Sequence, residues 1–433
     1  MTDSTDGTVV LGAGLTGLSF AFHYGTGTPI YERESEPGGL VRSLLVRGCS
    51  FDLAPHLLHL RSEYVRKLVF ETLGLEAAQV ERKARIYCDG RLISYPFELN
   101  LHGLSEQMRE DCLRGLDTIA PHGPEHDAEL RTGSYEDYAL NTFGAGISRH
   151  YLLPYNRKIW DTPPRDMTCE WMRFLPAADA GKIRRSAYAP SDEAFGYNSA
   201  FYYPRRRGIR ELPDAFAQRL PNIHFNKEVV RIQTTERCVH FSDGTSVHYE
   251  KLISTLPLNR LVALSDLPQS AQRAADLLEY TTVYTINMVV RGAVPEGVHW
   301  IYFPDPEYTF YRISLPKNFF PRATPGDEQI LAVEVGCRRD GHDWSALVSR
   351  VERQVRDLGV FDLDGHCFTH CEKLPVAYCI YDKQRTPVST ALLHQLASLG
   401  IYSTGRYGTW EYSAMEDAIL HGKTLAESLR AGG

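Results

Sequence analysis

The chain contains no apolar run approaching the roughly 20 residues that a membrane helix needs. Its nearest candidate, VVLGAGLTGLSFAFHY, is short and broken by glycines, and no basic segment precedes it. No exported or anchored segment is therefore expected, and the cytoplasm is the expected compartment. Positive charge is not in excess either: 47 Lys and Arg stand against 54 Asp and Glu, a formal net charge of −7. That balance offers no electrostatic footprint for a nucleic-acid partner. No internal repeat or low-complexity tract is present, which removes solenoids and propellers. Cysteine is sparse, nine residues scattered over 433, and reduced thiols are expected. His366-Cys367 and His370-Cys371 lack the second ligand pair of a zinc site. The segment around them, FTHCEKLPVAYCIY, alternates like a strand, so buried strand thiols and no metal are expected.

What is present suits a large buried core, since 43% of the residues are apolar and 23% charged. TVVL, GAGLTG, LSFAFHY and TPIYERE read as strand, tight turn, helix and second strand, the opening of a doubly wound parallel sheet. Ser105 to Ile147 carries helix-forming, acidic stretches around APHGPEH and predicts a helical insertion. HFNKEVVRIQTTERCVHFSDGTSVHYEKLISTLP supplies short β runs with an SDGT turn. Thr281 to Cys379 is aromatic and β-branched, which predicts a second, antiparallel-sheet domain. The expected fold is thus α/β, a Rossmann-like sheet with a helical insertion and a second antiparallel sheet. The expected division assigns residues 1–75, 195–265 and 375–433 to the nucleotide-binding domain. Residues 100–194 form a helical domain with a mobile loop, and 76–99 with 266–374 form the sheet domain.

Gly12, Gly14 and Gly17 stand where the first strand hands over to its helix. The first permits the tight turn, the second the approach of a pyrophosphate and the third close helix–sheet packing. Glu32, 20 residues after Gly12, ends the second strand, where a carboxylate accepts from both ribose hydroxyls and argues against a 2′-phosphate. The run Glu32-Arg33-Glu34-Ser35-Glu36-Pro37-Gly38-Gly39 adds a glycine pair that lets backbone pass close to the flavin end of a longer cofactor.

This turn, acid and double glycine resemble the N-terminal signature of the flavin amine-oxidase-like superfamily. Val229-Val230 before LISTLP resembles its adenine-holding return segment. STGRYGTWEY resembles its C-terminal flavin-contact turn, which brings in Gly405, Arg406 and, at the next helix, Met415. Together they imply FAD. A narrower resemblance is to the UDP-galactopyranose mutases. It rests on DLAPHLLHL with His56 and His59, YPFELNLHGL with Asn100, YNRKIW, FYRISLPKNFFP with Arg312, and GRYGTWEYSAMEDAI. These segments keep their order over most of the chain.

The resemblance implies a nucleotide-sugar pyranose/furanose mutase in which reduced FAD is a covalent catalyst through N5, with no net redox change. An external reductant such as NAD(P)H is implied as well, and a homodimer is left open. The reading from the residues agrees, because a diphosphate calls for planar guanidinium groups. Arg312 is the first candidate; Arg173, Arg184 or Arg185 would supply the second clamp from the loop after Trp160. Arg205-Arg206-Arg207 is either a phosphate site or a solvated face. Tyr155 and Trp160 would stack on the nucleotide, or pack in the core. Tyr378 and Tyr412 match tyrosines near the phosphates or flavin, and His56 or His59 would hydrogen-bond the flavin and respond to its reduction near neutral pH. Departures from the pattern leave base and sugar open: Trp410 replaces a tyrosine, Ser413-Ala414 replaces Leu-Asp, and AGKIRRSAY replaces an LPxRxxxDD-like run. The alternative function is an FAD-dependent oxidase or desaturase of the amine oxidase or protoporphyrinogen oxidase kind.

Overall fold

The computed structural model describes residues 7–119, 128–172, 179–190, 199–339, 341 and 343–432. The opening βαβ unit forms as the sequence predicts. The strand Thr8–Leu11 pairs in parallel with Ile30–Tyr31 on one side and Lys251–Ser254 on the other, and Ile223–His224 and Ile401–Ser403 extend the sheet to five parallel strands. Both faces are covered, which is why these strands read as continuous apolar runs. Val10, Ile30 and Ile253 pack with Leu18 and Phe20, whereas Val9, Leu11, Leu252 and Ile401 turn to Leu258, Leu261 and Leu396.

The helix Leu15–Tyr24 is buried along most of its length because the last helix, Met415–Ala431, packs on it. Gly422 makes that approach possible. A Cβ there would meet the Thr16 carbonyl at 2.4 Å and the Phe20 nitrogen at 2.7 Å, both backbone atoms that cannot move aside.

The second sheet has seven strands, in the order Asp362–Cys379, Tyr280–Ala293, Gln329–Arg338, Arg312–Ser314, Trp300–Tyr302, Ala84–Cys88 and Arg91–Ser94. It is antiparallel except where Trp300–Tyr302 runs parallel to Ala84–Cys88, since that neighbour arrives from a remote part of the chain rather than through a hairpin. The two-residue period divides its faces. Tyr284, Ile286, Met288, Leu331, Val333 and Val335 pack under the helix Trp344–Asp357, whose Leu347, Val351 and Val355 recur at helical spacing. The opposite face therefore presents Val283, Arg312 and Glu334.

The helical insertion contains Glu106–Asp117, Tyr135–Ile147, Leu153–Trp160 and Ala180–Arg185. Leu153–Trp160 lies directly on the long strand Gln329–Arg338, where Gly336 leaves room for the carbonyls of Lys158 and Ile159. This seats Tyr155 and Trp160 near the sheet face that carries Arg312. All nine cysteines are free thiols. Cys367 is exposed and Cys371 half-buried, against the expectation of buried strand thiols, because the strand Asp362–Cys379 forms the sheet's edge and its first half overhangs the core. Among the described residues no helix is long and apolar enough to cross a membrane.

The helix–helix contact yields a stability prediction. Gly422→Ala should overpack it and lower stability by about 1–3 kcal/mol, read as an earlier urea midpoint. An unchanged midpoint would show that the two helices separate freely.

Candidate active site

The C-terminal ends of the parallel strands and the bare face of the second sheet enclose one large cavity of about 1090 Å³. At one end lies the first glycine turn. Gly12 has φ 98°, and a Cβ there would strike the Thr255 hydroxyl at 2.3 Å, so the strand can turn only with glycine in place. Gly14 lines the cavity with nothing within 4 Å of a Cβ position, which leaves the backbone open to a ligand. Gly17 does not line the cavity; a Cβ there would meet the Gly12 carbonyl at 2.0 Å, and its place is the close packing expected of it.

Glu32 is buried at the end of the second strand and accepts the Ala13 N–H at 2.7 Å and the Glu34 N–H at 2.9 Å. Its carboxylate thus ties the glycine turn to the following loop and still faces the cavity. Gly38 donates to the Ala13 carbonyl at 2.8 Å, so the second glycine pair, Gly38-Gly39, rests on the first turn. Arg33 lines the rim, paired with Glu34 at 3.1 Å.

The segment carrying the histidines is anchored by Asp52, which the sequence did not single out as a site residue. Asp52 accepts from the Ser43 hydroxyl at 2.6 Å and the Tyr203 hydroxyl at 2.8 Å, and the backbone N–H groups of Ile209 and His56 also donate to it. Burial nevertheless outweighs these donors and pushes its pKa up to about 6. His56 donates from Nδ1 to the Ala54 carbonyl at 2.6 Å, and His59 from Nδ1 to the Ala200 carbonyl at 3.1 Å. Both line the cavity. Burial pushes the pKa of His56 down to about 4, helped by the nearby positive charges of Arg406 and Arg312, and burial lowers that of His59 too. This corrects the expectation that they titrate near neutrality. At pH 7 both are neutral imidazoles.

Arg312 and Glu334 stand directly opposite each other across two paired strands. The guanidinium donates from Nε and, at 2.8 Å, from Nη2 to the two carboxylate oxygens of Glu334, which is 1% exposed. Tyr311 adds a hydroxyl bond to the same carboxylate at 3.1 Å. Glu334 holds Arg312 firmly protonated despite burial, and the pair occupies two of the five guanidinium N–H groups. Around it stand Tyr155, Tyr302 and Tyr378, whose burial raises their pKa values, so their hydroxyls remain protonated donors.

Arg406 is held differently. It donates to the carbonyls of Ser413 at 2.6 Å and Ala377 at 2.9 Å, and lies over the rings of Tyr412 at 4.9 Å and Tyr378 at 5.4 Å. Among the described residues its buried Nε has no hydrogen-bond partner and no carboxylate forms an ion pair with it. Trp160 closes this box, its ring edge-on to Tyr378 at 5.4 Å and its N–H given to Asn156. Gly405 and Met415 line the cavity beside it, where the last helix begins.

Several expected site residues lie elsewhere. Arg184 is spent on Asp117 and on the Leu116 carbonyl, and Arg185 is exposed; neither lines the cavity, because their helix turns that edge outward. Arg173 lies outside the described residues. Val229, not Val230, faces the cavity: Val230 is 48% exposed, and a bulge in its hairpin shifts the register there. Asn100 donates to the Pro96 carbonyl at 2.8 Å, holding its own turn. Arg206 pairs with Glu76 and Arg207 with Asp214, as a solvated face would. Trp410 is wholly buried behind the cavity wall. Arg82, stacked on Tyr95, lines the cavity without having been anticipated, since nothing in its short strand-end sequence marks it.

These features fit a flavin dinucleotide: an open glycine turn, a buried acid beside it, and a buried guanidinium with an unsatisfied nitrogen farther along. A family model described as flavin containing amine oxidoreductase matches residues 23–430. The fold superposes on a crystal structure of reduced UDP-galactopyranose mutase with a TM-score of 0.90 and 26% identity, covering 99% of this chain and 94% of that one. It matches a putative protoporphyrinogen oxidase from Exiguobacterium sp. 255-15 at TM-score 0.77 and 16% identity, over 99% of this chain and 100% of that one. Putrescine oxidase bound to putrescine matches at TM-score 0.64 and 15% identity, over 98% of each chain.

The carboxyl beneath the histidine segment predicts a pH effect. Its folded-state pKa of about 6 lies above the ordinary 3.8, so the fold keeps its full stability below the lower value and loses some as pH rises through the upper one. Wild type should therefore lose stability relative to Asp52→Asn between about pH 4 and 6.5 in urea melts, with a constant difference above. A difference independent of pH would contradict this.

Proposed function

The chain belongs to the flavin containing amine oxidoreductase family, and from that premise we propose that it is an FAD-dependent mutase. It interconverts pyranose and furanose forms of a nucleotide-diphosphate sugar without net oxidation. The observation that carries the reading is Arg312. It is a buried guanidinium, kept charged by Glu334 and ringed by tyrosine hydroxyls, in the same cavity as the glycine turn. A protonated amine substrate has no use for such a group, whereas a diphosphate does. The 26% identity to a mutase over nearly the whole chain supports the same reading.

The glycine turn, Glu32 and the segment from Gly405 to Met415 would hold FAD, with residues 1–75, 195–265 and 375–433 as its domain. The sheet face and helical insertion would hold the substrate. Reduced flavin would supply a nucleophile for the anomeric carbon and be regenerated unchanged. The protein's share is positioning and electrostatics. Arg312, assisted by Arg82 and the hydroxyls of Tyr155 and Tyr378, receives the departing diphosphate. Trp160 and Tyr412 wall the sugar compartment against water. His56, neutral at pH 7, offers a hydrogen bond and adds no competing positive charge. An external reductant such as NAD(P)H would keep the cofactor reduced.

Incubation of dithionite-reduced protein with a panel of nucleotide sugars, the ring form read by NMR, tests this directly. Ring isomers are expected under reduction and none with oxidised protein. Substrate consumption by oxidised protein, with peroxide released, would replace the mutase with an oxidase.

A further inference from the structure

The long strand Tyr280–Ala293 turns Thr285 and Asn287, two residues apart, to the same face of the second sheet. Thr285 has a partner there. Its hydroxyl donates to the Leu53 carbonyl at 3.0 Å and fastens the segment that leads to His56. Asn287 is differently placed. It is 1% exposed, and its strand is paired on both sides, with Ala332 and His370 as its neighbours. Among the described residues its side-chain nitrogen reaches no acceptor. A buried amide donor left unpaired carries the full cost of its desolvation, and native interiors nearly always satisfy such groups.

The space around Asn287 indicates what satisfies it. A second cavity, of about 10 Å³, is lined by this asparagine, by Asp52 and Tyr203, and by apolar and aromatic groups that include Phe51, Phe319 and Ile330. Its volume is that of one small probe sphere, enough for a water molecule and too little for anything larger. Its wall is also not that of a dry void, which is apolar throughout. The Tyr203 hydroxyl donates to Asp52 at 2.8 Å, so that pair turns oxygen lone pairs to its surroundings, while Asn287 brings an amide N–H. A molecule that both accepts and donates joins the two. Such a bridge would tie the sheet to the polar cluster beneath the histidine segment, where the backbone N–H of His56 also reaches Asp52.

We propose that this space is a binding site for one water molecule, which accepts from the Asn287 amide and donates to the oxygens of the Tyr203 and Asp52 pair. It stands on these contacts and does not depend on the mutase reading.

Oxygen-17 relaxation dispersion of the flavin-loaded protein tests it by counting the waters held long enough to tumble with the chain. Asn287→Leu keeps the side-chain volume and removes the hydrogen-bonding group, so the variant should hold one long-lived water fewer than the wild type. Equal counts in the two proteins would overturn the site. A crystal structure of the wild type decides the matter without any variant. Density for a water about 3 Å from the Asn287 side-chain nitrogen bears the proposal out. No density in that space, in a map that shows other internal waters, overturns it.

Discussion

The site is organised by one charged pair. Arg312 and Glu334 face each other across an antiparallel pairing, on the side of the sheet turned away from the apolar layer under Trp344–Asp357. Taking either charge out of water alone would be prohibitive, and together they are tolerable because the geometry is bidentate and Tyr311 satisfies a further lone pair. The consequence is a cation that does not need to be recruited. It is ordered in advance, its counter-charge is built in, and the rest of its N–H groups are left for a ligand. Neighbouring features follow from the same sheet face. The tyrosine hydroxyls that burial keeps protonated are donors, and His56 stays neutral partly because two guanidinium groups lie near it.

The two arginines of the cavity divide the work by how they are held. Arg312 has a carboxylate. Arg406 has carbonyls, the rings of three tyrosines, Tyr378, Tyr407 and Tyr412, and, among the described residues, an unsatisfied Nε and no carboxylate partner. A buried cation so placed lacks a counter-charge that an anionic ligand can provide. The flavin-containing family to which the chain belongs supplies a reason for such a group in the cavity that the glycine turn also lines.

Much of this was legible in the sequence where function is written in contiguous residues. Gly12, Gly14, Glu32 and Gly38-Gly39 occupy one turn and its neighbour, so spacing alone revealed them. What spacing cannot show is what distant strands bring together. Glu334 and Asp52 are lone acids in strand sequences, and only register or tertiary contact gives each a partner. Arg82 sits in an unremarkable short segment for the same reason. The opposite error came from Arg184 and Arg185, where a cluster of charge in an expected substrate loop turned out to serve the surface. Val230 was one residue out, since a bulge reverses which neighbour points inward.

The account stands or falls on Arg312 as the group that grips an anion. Removing it alone strands Glu334, so the decisive measurement compares the flavin-loaded wild type with Arg312→Ala/Glu334→Gln, in which the buried charge is also removed. Equilibrium titration with nucleoside diphosphates should show unchanged flavin absorbance in the double variant and affinity reduced by about a hundredfold or more. Undiminished diphosphate affinity in a folded, yellow double variant would contradict the account.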